Sequence, residues 1–436
     1  MKKITLMIAV FTIAICVSAQ VTVTKNWERS DSLGNNLAWN STGDVTRGIA
    51  VGKMGANDRV FLATRHTSGT KVHVLNAATG DSITSLNMTG VTGGTHIISD
   101  AGMTEDGKLL VSSLTTGAIL ASPLKIYMWE NETDAPIVAI LWGPSVSEGR
   151  YGDKITVTGN YSTGTARVYA VKNISGTTKV KYWDMKTDPA NAGKFIFNQD
   201  PKDLGDVANL GVLASIGLRT DGGYYFKVNG SQIKQYDNTG AQIGVESLSS
   251  VVSSQGNNVR YVANNNLNDA VICYFRYSTA ATATSRLGNH KVDFLQVNGN
   301  NLANATVIAS TPSLGNNANG NGAGGVVVNK LPNNNVEVFV LSTNNGVGKY
   351  TISGLLTAAP NSVKKLENSN VKLSFSNGKV TVVGIIPSSI ELYNALGQRI
   401  NSIYNSNIIE TNNVKGIYIV QVKENGKIVK TEKISL

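Results

Sequence analysis

Gly48-Ile49-Ala50-Val51-Gly52, the turn Asn57-Asp58 and the run Arg59-Val60-Phe61-Leu62-Ala63-Thr64 form the stretch on which the fold turns. A short strand of small residues, a tight turn and a β-rich strand read as a hairpin. Two further strands follow, Lys71 to Leu75 and Ser82 to Asn87. The same order recurs along the chain. Asn57-Asp58, Asp106-Gly107, Gly164-Thr165, Asp221-Gly222, Asn268-Asp269 and Asn334-Asn335 mark six such units, with steps of 48, 58, 57, 48 and 66 residues between them.

Each turn is preceded by a strand of small apolar residues: Gly48 to Gly52, Ile97 to Met103, Lys154 to Gly159, Gly211 to Leu218, Asn258 to Ala263 and Gly324 to Val328. Four antiparallel strands in each repeat of this length are the blade of a β-propeller, and small residues suit the innermost strand, where blades crowd at the axis. The expectation is an all-β chain with six blades, seven being the main variant. A pair of β-sandwiches or a β-solenoid would carry similar strands. The sixth unit lacks an outer strand after Val347 to Ile352, and Val21 to Trp27 has no unit of its own. Placing the second beside the first closes the ring and removes a free sheet edge.

Composition agrees with short strands and turns. Of 436 residues, 44 are Gly and 9 are Pro, while 41% are hydrophobic and 16% charged, which excludes an all-helical enzyme and disorder through charge excess. The net charge of +10 sits at the ends: Lys2 and Lys3 give +2, and residues 361–436 hold ten Lys/Arg against five Glu. Between them lie 27 basic and 24 acidic residues, with no basic run interleaved with aromatics, so a nucleic-acid partner is not expected.

Lys2-Lys3, an apolar run to Val17 and Val17-Ser18-Ala19 before Gln20 have the order of a secretory leader cut between Ala19 and Gln20. The Sec translocon is the partner this implies. Once Cys16 leaves with the leader, Cys273 is the one cysteine, which rules out an internal disulfide; its apolar strand makes it a buried residue rather than a nucleophile. The reading assigns 1–19 to the leader, 20–354 to the propeller, 355–365 to a linker and 366–436 to a second β unit. That unit is read as a small sandwich of strands Val371 to Val383, Ile390 to Tyr393, Gln398 to Tyr404, Gly416 to Val422 and Lys427 to Leu436.

The chemical inventory is sparse. His66, His73, His96 and His290 have no zinc spacing, and neither a Gly-x-Ser-x-Gly elbow nor a phosphate loop occurs. The Gly/Asn-rich stretch Gly315 to Gly325 reads as a flexible loop. Asp100, Glu105 and Asp106 suggest calcium, yet the turn at Asp106-Gly107 accounts for them. No cofactor and no metal is expected. Asp44, Glu148 and Asp206 precede the inner strands of three units, and a carboxylate pair would suit glycoside hydrolysis. A second set is more suggestive. Arg47, His96, Arg150 and Arg260 lie at or just before an inner strand in four units, and such loops open on one face of a propeller as a cationic mouth for an anionic group. Of Trp27, Trp39, Trp129, Trp142 and Trp183, Trp129 and Trp183 end matching strands and suit packing between blades; Trp39, in the loop before Arg47, is the aromatic ligand candidate.

In the last part of the chain, Glu391-Leu392-Tyr393-Asn394-Ala395-Leu396-Gly397-Gln398-Arg399, Gly416-Ile417-Tyr418-Ile419-Val420-Gln421-Val422 and Lys430-Thr431-Glu432-Lys433-Ile434-Ser435-Leu436 occur in that order. Together they closely resemble the C-terminal sorting domain of type IX secretion cargo, although the usual Tyr-Pro-Asn-Pro opening is absent. Leu392, Tyr393, Gly397, Arg399, Gly416, Tyr418 and Lys433 carry the match. The resemblance implies a β-sandwich address read by an outer-membrane translocon, then removed as the cargo is released or attached to surface lipopolysaccharide. It implies nothing about the cargo's activity. The central part is similar to an uncharacterised family of secreted, propeller-like bacterial proteins. The expected protein is a secreted or surface monomer that reaches its site through the periplasm and binds a glycan or protein without catalysis. The alternative is a propeller-type lyase or hydrolase of an acidic polysaccharide.

Overall fold

The computed structural model describes residues 21–40, 43–66, 69–173, 176–209, 211–247, 255–266, 269–280, 282–356, 371–376, 378–394, 397–411 and 416–435. The expected leader, with Ala19 and Gln20, lies outside them. The chain divides into two compact units, Ala19–Thr357 and one that holds Ala358–Leu436.

Among the described residues, the first unit holds six four-stranded antiparallel sheets. Their inner strands are Thr46–Met54, His96–Met103, Ile155–Thr158, Ser215–Leu218, Gly256–Asn266 and Gly324–Lys330. Each inner strand contacts the next, and the sixth contacts the first, so the arrangement is propeller-like. Crowding at this axis explains the small residues. A Cβ on Gly48 would stand 2.6 Å from the Cα of Asp100 in the second sheet, closer than backbone can yield.

Apolar clusters fill the spaces between sheets. Phe61, Val72 and Val74 of the first sheet pack with Leu109, Val111, Tyr127 and Trp129 of the second. Leu124, Ile140 and Trp142 of the second sheet meet Val168, Trp183 and Phe197. Both Trp129 and Trp183 are fully buried, where inter-sheet packing was expected. Burial of side chains this size contributes roughly 1.5–3 kcal/mol each, and the sum over the clusters takes the place of disulfides. Cys273 is a buried free thiol.

The sixth sheet is built from two distant segments. Thr22–Ser30 pairs antiparallel with Gly346–Ser353, from Thr22 opposite Ser353 to Ser30 opposite Gly346. Trp27 of that strand donates its indole N–H to Ala77 O of the first sheet at 3.0 Å. Its ring lies over Gly80, where φ is +74° and an added Cβ would strike the indole. The next residue, Glu28, is buried and accepts the Tyr350 hydroxyl at 2.8 Å. The first and last sheets are thereby joined through Trp27, Ile49, Leu62, Leu75, Phe339 and Val347.

Three details differ from the sequence reading. Leu355 and Leu356, read as linker, are buried in the core of the last two sheets, because the apolar run continues beyond Ile352. The Gly315 to Gly325 stretch is tied down by its asparagines: Asn319 Nδ2 donates to Ala323 O at 2.5 Å, and Asn319 Oδ1 accepts Ala323 N–H at 2.9 Å. An extra hairpin, Met185–Thr187 with Phe195–Phe197, is inserted in the third unit.

The second unit has a three-stranded sheet, in the order Lys372–Ser376, Lys379–Val383, Ile408–Glu410, and a four-stranded one, Arg399–Tyr404, Ser389–Asn394, Ile417–Glu424, Lys427–Ser435. Val371 to Val383 is thus a hairpin, not one strand. Val380, Val382 and Ile409 of the first sheet share a core with Ile390, Leu392, Tyr418, Val420 and Val422 of the second. Of the motif residues, Leu392 and Tyr418 are buried in that core, whereas Gly397, Arg399, Gly416 and Lys433 are exposed; the Tyr393 hydroxyl donates to Glu391.

Candidate functional site: a cationic mouth on the ring axis

The inner strands all begin at one end of the axis, and antiparallel pairing brings the ends of the second strands to the same face. A cavity of about 410 Å³ opens there. Arg47, Arg65, His96, Arg150, Asn229 and Tyr277 are among its lining residues. Arg47 sits in a β-bulge, since Thr46 pairs with Thr64 but Gly48 with Ala63. Bulges re-aim a side chain, here toward the axis. Arg65 is the last residue but one of the second strand of the same sheet, Asn57–His66, and is anchored by its N–H to Val45 O at 3.0 Å.

Arg150 forks onto Asp153, Nε to Oδ2 at 2.5 Å and Nη2 to Oδ1 at 2.6 Å, while Arg47 Nη2 reaches the same Oδ1 at 3.4 Å. Asp153 is 1% exposed and lies behind the cavity wall, so one carboxylate serves two guanidiniums. Arg65 has none. Its Nε and Nη1 are buried without a hydrogen-bond partner, as is Nε of Arg47. Burial, with Arg47 next, pushes Arg65 down to about 9. Burial and the charges of Arg65, Arg47 and Arg150 also lower His96, which keeps its imidazole neutral near pH 7.

Deeper on the axis, Lys154 Nζ donates to Arg47 O at 3.0 Å, Gly324 O at 2.5 Å and Asp100 Oδ1 at 3.2 Å. Asp100 Oδ2 accepts Ile155 N–H at 2.9 Å. One ammonium thus ties the first, second, third and sixth sheets. Burial pushes Asp100 up and Lys154 down, each opposed by the other's charge.

Three of the five expected ligand residues, Arg47, His96 and Arg150, therefore share one cavity, and two do not. Trp39 is half-buried and stacks on His73, ring centroids 3.9 Å apart and planes 5° from parallel. This imidazole face draws it onto the third strand of the first sheet instead of the mouth. Arg260 lies past Lys154, in a separate chamber. Its strand begins at Gly256, with register shifts between Asn257 and Arg260, and this carries Arg260 beyond the strand's start. Of the acids, Asp44 accepts Asn344 Nδ2 at 2.8 Å, Glu148 stands 3.9 Å from Lys181, and Asp206 is on an outer strand; none lines the mouth. Asp106 is held at about 2: burial opposes this, but Ser162 Oγ–H and the N–H groups of Tyr161 and Ser162 outweigh it. Among the described residues no three His, Cys, Asp or Glu side chains cluster as metal ligands.

Residues 2–196, somewhat less than half of the chain, match a family described as a domain of unknown function (DUF4623). No curated protein matches the sequence. Among solved structures, a DUF4623 family protein from Bacteroides eggerthii is 16% identical, with a TM-score of 0.57 over 76% of this chain and 74% of that one. The WD40 domain of Toxoplasma gondii coronin is 9% identical, TM-score 0.41, over 80% of this chain and 89% of that domain. The soluble aldose sugar dehydrogenase of Escherichia coli is 11% identical, TM-score 0.40, over 77% and 100%. The first likeness bears on the fold alone, and the other two are too low to bear on it.

Proposed function

We propose that residues 20–356 form a six-bladed β-propeller, exposed on the cell surface or released, which binds an acidic glycan at the cationic mouth without transforming it. Arg65 carries this reading. It lines a cavity with Arg47, Arg150 and His96, with no carboxylate among the described lining residues, and among the described residues its own buried Nε and Nη1 have no hydrogen-bond partner. A uronate carboxylate or a sulfate ester supplies the acceptors that a guanidinium takes bidentately. The volume of about 410 Å³ is within the usual range for small-ligand sites, roughly 300–1,000 Å³.

The test is titration of the mature chain with polygalacturonate, a sulfated glycan, polyglutamate as an acidic peptide, and neutral dextran. Arg65→Ala breaks no ion pair and is expected to weaken binding of the acidic glycans at least tenfold. Equal binding by the variant, equal binding of dextran, or binding of acidic peptides only would overturn the reading.

The route to the surface is the second part of the proposal. The leader, residues 1–19, engages the Sec translocon, and residues 366–436, as a small β-sandwich, serve as the type IX address. The ordered motifs from Glu391 to Leu436 support it. A chain ending at residue 365 is expected to stay in the periplasm, and its normal appearance in the medium would refute the assignment.

One observation favours the enzymatic alternative: His96 and Tyr277 line the same cavity as the arginines. In β-elimination from a uronate, arginine neutralises the carboxylate and the neutral imidazole takes the proton α to it. The glycosidic C–O bond then breaks as the tyrosine hydroxyl protonates the leaving oxygen, and a C=C bond forms. Ultraviolet absorbance from that double bond in the polygalacturonate samples would establish lyase activity over plain binding.

A further inference from the structure

The chamber that holds Arg260 has about 260 Å³ and shares no lining residue with the mouth. All six inner strands contribute to it, with apolar side chains such as Ile49, Met103, Val157, Leu218 and Val327 and with the polar Thr156, Thr158, Tyr261 and Asn329, and Arg260 is the single charged residue among the described lining residues. It opens away from the mouth: along the third inner strand Ile155 is buried, whereas Val157 and Thr158 are partly exposed, as are Met103 and Leu218 at the ends of their strands.

Arg260 has hydrogen bonds but no counter-charge. Its Nη1 donates to Thr156 Oγ1 at 3.1 Å, Ile216 O at 3.3 Å and Val259 O at 3.4 Å, all neutral acceptors. Among the described residues no carboxylate lies within ion-pair distance of it. Asp100, the carboxylate whose charge it feels most, is bonded to Lys154 and to the Ile155 N–H. Cys273, its partner across the ladder, is a thiol that burial keeps protonated. Arg260 is partly exposed to the chamber; its guanidinium stays charged, and no counterion offsets the desolvation it undergoes.

We infer that the chamber is a second anion site, which takes a small organic carboxylate with an apolar body. The carboxylate neutralises Arg260 and the body fills the aliphatic walls. A carboxylate has two oxygens to satisfy, which Arg260 beside Thr156 can meet, whereas a sulfate or phosphate has three or four, and the other polar side chains of the lining, Thr158, Tyr261 and Asn329, are too few to serve them all at one place. The space equals that of about eight or nine water molecules at ~30 Å³ each, which suits a ring or a short chain rather than a polymer.

The experiment titrates the mature protein with benzoate, benzyl alcohol and sulfate, and follows the methyl resonance of Met103. Benzoate is expected to bind saturably and shift that resonance, with benzyl alcohol and sulfate at least tenfold weaker. Arg260→Met should lose benzoate at least tenfold, whereas Arg65→Ala, which alters only the mouth, should keep it. Failure of the wild type to bind the acidic glycans, with benzoate binding intact, would thus count against the mouth alone. If Arg260→Met does not fold, the Met103 shift in the wild type decides. No saturable benzoate binding, an unmoved Met103 resonance, sulfate binding as tightly as benzoate, or unchanged affinity in a folded Arg260→Met would each overturn the inference.

Discussion

Between neighbouring sheets the ring is filled with Trp, Tyr, Phe and branched aliphatic side chains, whereas its axis carries glycine backbone, Lys154 against Asp100 and, at the mouth, three arginines of which two, Arg47 and Arg150, share Asp153. The wall gains from area removed from water, a term that tolerates exchange of one apolar residue for another of similar volume. The axis gains little from its charges, because desolvation offsets most of the attraction, but each charge demands its own partner. Stability therefore resides in the wall, and the recognition chemistry is placed where the wall has already fixed the geometry.

The largest break in this comparison comes from opening the wall. Removing residues 21–30 strips the outer strand from the sixth sheet and deletes Trp27 from the cluster joining last sheet to first. Loss of one buried tryptophan costs about 3–5 kcal/mol by itself, and the bared edge of Gly346–Ser353 invites aggregation. Differential scanning calorimetry should show a much lower melting temperature; an unchanged one would mean that another strand closes the ring.

The axial pair should behave differently. Asp100→Ala leaves Lys154 buried without its counterion and is expected to cost about 3–5 kcal/mol, whereas Asp100→Leu with Lys154→Met should come near the wild type. Urea unfolding of the single and double variants measures both. If the double variant were as unstable as the single, the pair would be a net source of stability, and the contrast between wall and axis would fail.

How much of this was legible in the sequence follows the same division. The wall was legible, because small inner strands, turns and β-rich runs repeat at every unit, and even the pairing of Val21 to Trp27 with the last unit could be read from an unpaired edge. The axis was half legible. Arg47, His96 and Arg150 were found by looking at the starts of inner strands; Arg65, Asn229 and Tyr277 were missed because antiparallel pairing brings the ends of second strands to the same face, and those ends were not searched. Asp153 and Lys154 carry no motif, only their place beside Arg150. Arg260 was misplaced by a bulge that sequence periodicity does not reveal. In the second unit the Asn-Gly pair at 377–378 was a readable turn signal, overlooked because Val371 to Val383 is apolar on both sides of it.

The smallest expected effect is an acid-sensitive joint in the wall. His290 opens the third strand of the fifth sheet and is fully buried against the sixth, its Nδ1 within 3.1 Å of Ser342 Oγ and 3.3 Å of Asn345 Nδ2. Burial, with Arg286 adding to it, pushes its pKa from 6.5 down to about 4. The folded protein therefore holds His290 neutral in a range where the unfolded chain is already protonated. The contribution is complete above about pH 6.5 and declines as the pH falls toward 4, by up to about 3 kcal/mol. His290→Asn, which tolerates the φ of +58° found there, should flatten this part of the profile while leaving stability at pH 8 less affected. Urea midpoints measured from pH 8 to pH 4 would show it, and a variant that loses stability in parallel with the wild type over that range would place the acid sensitivity elsewhere.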